Sequence, residues 1–180
     1  MRAFIGLAVP DVLAGPLMQL QGAVPVGRAV PSDDLHVTLA FLGEVPEEAI
    51  EDVHEALDGR SLQRATISPD TLSTYGGTPP RLLAMGLRAD PSLLALHKQV
   101  ARAVDAAGLR LARRRFRPHI TLVRFGNGLS PPGQARLHRA LSDLAVPALP
   151  SVEARVAHLY RSHLGPGGAR YETLADYLLR

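Results

Sequence analysis

Cysteine and tryptophan are both absent from the 180 residues of the chain, and lysine occurs once, at Lys98. Without cysteine there is no disulfide framework, no thiolate nucleophile and no cysteine-ligated zinc or iron–sulfur centre. Aromatic residues make up only 4%, which argues against a surface paved with rings that stack successive nucleic-acid bases. No apolar run approaches the ~18 residues needed to cross a bilayer. The apolar stretch Phe4–Val9 is too short for a signal sequence and runs at once into Pro10 and Asp11. The expectation is a cytoplasmic protein with no membrane contact.

What is present is ordinary in amount. Apolar residues are 46% and charged residues 21%, as in soluble globular proteins. A chain of this length buries a core without metals or disulfides. Its net charge is +3, and every basic residue except Lys98 is arginine. Arginine makes planar, bidentate contacts with phosphate, although GC-rich coding produces the same bias.

The chain repeats itself. His36-Val37-Thr38-Leu39-Ala40-Phe41-Leu42-Gly43 recurs as His119-Ile120-Thr121-Leu122-Val123-Arg124-Phe125-Gly126. Downstream, His54-Glu55-Ala56-Leu57 is echoed by His138-Arg139-Ala140-Leu141, and upstream Gly6-Leu7 by Gly86-Leu87. Near-constant spacing in one order marks two copies of a unit, approximately 1–75 and 80–161, within one domain of 1–180.

Local patterning gives each copy the same elements. Arg2–Val9, His36–Leu42 and Thr66–Tyr75 read as strands, with Asp11–Ala23 and Pro46–Leu57 as helices between them. In the second copy Arg81–Leu87, His119–Phe125 and Val152–Tyr160 are strands, and Pro91–Ala107 and Pro132–Leu144 helices. After a loop at Gly165–Gly168, a closing strand runs over 170–179. Several strands follow one another without a helix, so the sheets are largely antiparallel. The expected fold is α+β, with two pseudo-symmetric lobes, outer helices and a groove between the lobes.

The strongest chemical signal is the repeated tetrad His-x-Thr-Leu. Seven His, seven Thr and 29 Leu in 180 positions predict about 0.04 such tetrads by chance; two are present, each followed four residues later by glycine. In a strand, residues i and i+2 share a face. Each tetrad therefore sets an imidazole beside a hydroxyl while its two apolar residues face the core. Two such units meeting about a pseudo-twofold axis supply a proton acceptor, a proton donor and two hydroxyls for an anion. That set suits phosphodiester cleavage, because an imidazole titrates near neutrality.

These motifs resemble the 2H phosphoesterase superfamily, within it the RNA 2′,3′-cyclic phosphodiesterases, also called 2′-5′ RNA ligases. The resemblance takes in Arg2-Ala3-Phe4-Ile5-Gly6-Leu7, Leu35–Gly43, Arg117–Arg124, Leu159-Tyr160-Arg161-Ser162 and Gly168-Ala169-Arg170-Tyr171-Glu172. It implies metal-independent opening of a terminal 2′,3′-cyclic phosphate on RNA to a 2′-phosphate, with weak, reversible 2′-5′ RNA ligase activity beside it and no cofactor. His36 and His119 match the catalytic histidines, and Thr38 and Thr121 the phosphate-binding hydroxyls. Arg124 matches a position of phosphate contact and Phe41 a groove-side aromatic near a base. Tyr75 stands where relatives often have Phe. A monomer is expected.

Other readings compete. The protein is alternatively a 2H phosphoesterase of a small cyclic or 2′-5′ linked nucleotide, or a non-catalytic module that binds RNA ends. Arg124 is alternatively a strand-face charge paired with an acid such as Glu44. His54, His97 and His138 read as surface residues on helices, and His158 and His163 lie near the last loop. The seven histidines come with no HExxH and no carboxylate-rich spacing, so no metal is expected. The run Arg110–Arg117 leads into the second tetrad and either grips an RNA backbone or is a solvated loop. Within the pair of histidines, Arg-rich surroundings favour neutral His119 as base. Asp33 and Asp34 favour charged His36 as acid, and the resemblance points the same way.

Overall fold

Proline and glycine punctuate the chain into short strands, four α-helices and one 3-10 turn of helix at Ser32–Asp34 among the described residues. The computed structural model describes residues 1–112 and 115–180; Arg113 and Arg114 of the basic run lie outside them. The first copy comprises β1 (Arg2–Ala8), α1 (Asp11–Gly22), β2 (Arg28–Ala29), β3 (His36–Glu44), α2 (Glu47–Asp58), β4 (Ala65–Ile67) and β5 (Pro69–Tyr75). The second comprises β6 (Leu82–Leu87), α3 (Pro91–Ala106), β7 (His119–Arg124), α4 (Pro131–Ser142), β8 (Val152–Ala154) and β9 (Val156–Gly165), and β10 (Gly168–Leu178) closes the chain.

The fold is α+β, and its named strands pair antiparallel. Along the main sheet the order is β10-β9-β1-β3-β7-β6-β5, with β2 added on β7. The halves of this sheet join at one residue pair, Val37 with Ile120, the second positions of the two tetrads.

The copies are interlaced rather than side by side. β5 of the first copy pairs with β6 of the second, while β9 of the second pairs with β1 of the first. The helices cross over as well: α1 packs on β7, and α3 packs on β3. Leu13, Leu17 and Leu20 on α1 and Leu93, Leu96 and Val100 on α3 enter one continuous core with Val37, Leu39, Ile120 and Leu122. Helices therefore cover the apolar face of both tetrads.

Two strands expected as single runs are broken. Thr66–Tyr75 divides at Ser68 because Pro69 has no N–H to continue a ladder, so β4 leaves to pair with β8 in a separate two-stranded sheet. Val152–Tyr160 divides at Arg155, the corresponding place in the second copy. The loop at Gly165–Gly168 is a tight hairpin turn, with the β9–β10 ladder running up to it from both sides. The short β2 had no signal, since two exposed residues carry no periodicity.

Candidate active site

Antiparallel pairing of Val37 with Ile120 decides the geometry. Continuing that register by one residue each way sets His36 opposite Thr121 and Thr38 opposite His119, all on the face away from the core. All four line one open cavity of ≈ 490 Å³, together with Arg124 and Phe41. The six residues singled out in the sequence thus come together in a groove fed by both halves.

Backbone carbonyls fix the two imidazoles alike. His36 Nδ1 lies 2.7 Å from Asp34 O, and His119 Nδ1 lies 2.8 Å from Arg117 O. A carbonyl only accepts, so each Nδ1 carries the proton and donates it, which leaves each Nε2 free for chemistry. The glycines that close the motifs, Gly43 and Gly126, both adopt left-handed backbone with φ of 80° and 59°.

Around this shared frame the two sides differ. His36 sits among rings, with Phe4 and Tyr171 at centroid distances of 4.7 and 4.8 Å and Tyr160 at 6.4 Å. Burial in this box, with the positive charge of Arg124 and the neighbouring imidazole of His119, pushes its pKa down to about 4, against the Asp34 carbonyl, which raises it. Tyr160 is itself pushed up to about 12, by burial first and then by Asp176, so the box adds no phenolate charge. His119 stacks on Tyr75 at 4.9 Å and 21°.

The carboxylates near His36 do little for it: the charge of Asp34 raises its pKa less than any other influence acts on it. Buried Asp34 accepts from Arg170 Nη1 and from the Tyr171 backbone N–H, each at 3.2 Å, and Asp33 accepts from Ser32. The expectation that they hold His36 as an imidazolium is therefore corrected: the resting protein holds it neutral at neutral pH. Arg2, Arg28 and Arg124 line the cavity with no carboxylate among the lining residues, and of the three Arg124 is the one whose charge bears on His36. Arg124 donates to the Tyr171 hydroxyl at 3.4 Å and forms no ion pair among the described residues, so the pairing with Glu44 does not occur.

A scan of family models matches residues 9–164 to the 2′-5′ RNA ligase superfamily. The chain belongs to that superfamily. An RNA 2′,3′-cyclic phosphodiesterase of Geobacillus stearothermophilus is 31% identical over 160 residues, which are 87% of this chain and 49% of the relative. The chain thus spans about half the length of that protein. An RNA 2′,3′-cyclic phosphodiesterase of Archaeoglobus fulgidus is 28% identical over 178 residues, 97% of this chain and 98% of its own. The apo crystal structure of Escherichia coli LigT superposes with a TM-score of 0.78 at 24% identity, covering 99% of this chain and 96% of the other, which establishes the shared fold.

In this member of the 2′-5′ RNA ligase superfamily several cavity residues carried no assigned role in the sequence. Arg2 lies over the ring of Phe41, 4.7 Å from its centroid, and Phe41 is 48% exposed. Arg28 reaches from β2 to the hairpin tip, donating to Pro166 O at 3.3 Å. Gly168 permits this approach, since a Cβ there would lie 2.8 Å from the Arg28 guanidinium carbon. Tyr171 and Ser162 enter from the β9–β10 hairpin. Only the folded sheet brings these distant segments together.

The remaining histidines stay outside the cavity. His163 pairs with Glu172 and His158 with Asp176, each at 2.7 Å, on the β9–β10 hairpin. His54 bonds the Tyr177 hydroxyl at 3.0 Å, and His138 is exposed. His97 is not a surface residue: it is half-buried, bonded to Leu39 O at 2.8 Å and stacked on Phe116. No helix is long and apolar enough to cross a membrane among the described residues.

Proposed function

We propose that the protein hydrolyses the terminal 2′,3′-cyclic phosphate of RNA to a 2′-phosphate, without a metal, by proton transfer between two imidazoles. The reading rests above all on one observation: both Nδ1–H groups are spent on backbone carbonyls, in a cavity that also holds two threonines and three arginines. The curated relatives named RNA 2′,3′-cyclic phosphodiesterase support it.

In the proposed reaction Thr38, Thr121 and Arg124 hold the non-bridging oxygens of the phosphate. His119 Nε2 takes a proton from water as the water oxygen bonds to phosphorus. The bond from phosphorus to O3′ breaks, and His36 Nε2–H gives its proton to the departing O3′. The same displacement with a 5′-hydroxyl in place of water, its proton going to His119 and O3′ leaving with the proton of His36, gives a 2′-5′ linkage, and its reversal cleaves one. His36 starts neutral in the resting protein because the rings packed on it desolvate it, so it gains its proton as the anionic phosphate arrives and offsets Arg124. The substrate supplies the negative charge that Asp34 does not.

A second reading, a small cyclic or 2′-5′ linked nucleotide as substrate, is favoured by the cavity volume of ≈ 490 Å³, which suits a single small ligand. In either case we place the enzyme in the cytoplasm as a monomer, since one chain supplies every group. The deciding experiment incubates the protein, in excess chelator, with an oligonucleotide ending in a cyclic phosphate. A 2′-phosphate product is expected. No turnover, turnover that requires a restored divalent ion, or a 3′-phosphate product would each overturn the mechanism. Comparing kcat/KM for the oligonucleotide and a cyclic mononucleotide separates the two substrate readings.

A further inference from the structure

Phe41 and Arg124 occupy the same place in the two motifs, five residues after the histidine, and both face the cavity. A regular strand forbids this. Starting from His36, positions 38 and 40 would share its face, and Phe41 would point into the core. Each motif escapes by a β-bulge at its leucine. Thr38 pairs with Gly6 and Ala40 with Ile5, so Leu39 is skipped. Thr121 pairs with Ala84 and Val123 with Leu83, so Leu122 is skipped. One extra residue reverses the facing of everything that follows.

A helix side chain, Gln21 buried and His97 half-buried, meets the carbonyl of each bulged leucine. Gln21 Nε2, on α1, donates to Leu122 O at 2.6 Å and to Val30 O at 2.8 Å, so it also fastens the segment after β2 beside β7. His97 Nδ1, on α3, donates to Leu39 O at 2.8 Å, its ring held flat on Phe116 at 3.9 Å and 4°. Each donor comes from the opposite sequence copy to the bulge it serves. Neither residue lines the cavity. A glutamine and a histidine thus do equivalent work at equivalent places.

We propose that Gln21 and His97 are positioning residues of the active site, which hold the two bulges and thereby turn Arg124 and Phe41 into the groove. Gln21 sets the phosphate end, through Arg124. His97 sets the nucleoside end, through Phe41. The proposal rests on the functional reading above for what Arg124 contacts and on the family resemblance for what Phe41 contacts, and it is tested by binding alone, so turnover does not enter.

The probes are inorganic phosphate and a nucleoside 2′-monophosphate, with affinities measured by calorimetry on Gln21→Met, His97→Met, His97→Gln, Arg124→Ala and Phe41→Ala proteins. Gln21→Met is expected to weaken inorganic phosphate by about tenfold, the loss of one charge-assisted contact, and to add nothing in an Arg124→Ala background. His97→Met is expected to leave inorganic phosphate within about twofold of wild type. It should weaken the nucleotide as Phe41→Ala does, with no further loss in the double variant and recovery in His97→Gln, which restores a donor. Additive losses in the double variants, or equal losses of inorganic phosphate affinity in the two methionine variants, would show general structural damage and overturn the proposal. So would wild-type binding by both methionine variants. If Gln21→Met does not fold, the half-buried His97 series decides by the same criteria. A protein that binds both probes yet opens no cyclic phosphate would fail the functional reading and leave this one standing.

Discussion

His36 packs between Phe4 and Tyr171, with ring centroids 4.7 and 4.8 Å away, whereas His119 meets Tyr75 at 4.9 Å and lies nearer solvent. The backbone treats the two alike, each Nδ1 bonded to the carbonyl two residues earlier. The duplicated motif thus fixes where the two nitrogens point, and the unduplicated surroundings give the two rings different environments. On one side burial holds the pKa of an imidazole down to about 4; in the proposed reaction it gains its proton when the anion arrives. On the other, a more open imidazole faces water. Arg124 against Phe41 breaks the symmetry a second time, with charge opposite an apolar ring.

The largest effect that can break this comparison is removal of either imidazole. His36→Ala and His119→Ala are each expected to lower kcat by about 10²–10⁴-fold, the range for loss of a general acid or base. A substrate with an intrinsically good 3′ leaving group should partly rescue His36→Ala and leave His119→Ala unaided. The opposite pattern would exchange the two roles. A bell-shaped pH profile alone does not assign them, because the same limbs arise whichever imidazole donates.

Next comes acid stability, which reads the burial of His36 directly. Its pKa is about 4 in the folded protein and about 6.5 when unfolded. Between those values the unfolded chain holds a proton that the folded chain does not, so stability falls as the pH drops through that window. The integrated loss is roughly 3 kcal/mol; below pH 4 both states carry the proton and no further loss arises from this group. Urea unfolding of wild type and His36→Gln at pH 7 and pH 4.5 measures it. Equal pH dependence in the two proteins would mean that the aromatic box does not desolvate the ring.

A smaller effect is expected from the hydroxyls. Thr38→Ala and Thr121→Ala should each lower kcat/KM by roughly 1.5–3 kcal/mol, the value of a hydrogen bond to an anion that gains charge in the transition state. Both sit on the register that pairs Val37 with Ile120, so the two losses should be similar. Wild-type kinetics in both folded variants would reduce the threonines to strand residues.

The common placement of His36, Thr38, His119 and Thr121 was legible because strand alternation is local: His-x-Thr needs only a period of two. The repeat and the antiparallel character were legible for a similar reason, since element lengths and turn residues are written in short windows. Three things were not. The crossing of β5 and β9 into each other's half depends on which strands pair, and no window of sequence contains both partners. The aromatic box joins Phe4, Tyr160 and Tyr171 from segments more than 150 residues apart in the chain. The bulges at Leu39 and Leu122 place Phe41 and Arg124 on the face that strict alternation denies them; resemblance named those two residues, and the period of a strand did not.

The smallest expected effect concerns Asp34, where proximity in sequence misled. The carboxylate is two residues from His36, yet it faces Arg170 and the Tyr171 N–H, while the backbone carbonyl of the same residue takes the imidazole proton. Its charge is the least of the influences on His36, behind burial, that carbonyl bond, Arg124 and His119. Asp34→Asn keeps the carbonyl and removes only the charge. The His36 pKa, followed by NMR titration of the ring, should therefore fall by no more than about half a unit, less than about 1 kcal/mol. The variant should loosen Tyr171 instead, because an amide oxygen accepts the N–H more weakly than a carboxylate does. A fall of a full unit or more would restore Asp34 as the charge partner of His36, and with it an imidazolium prepared before any substrate binds.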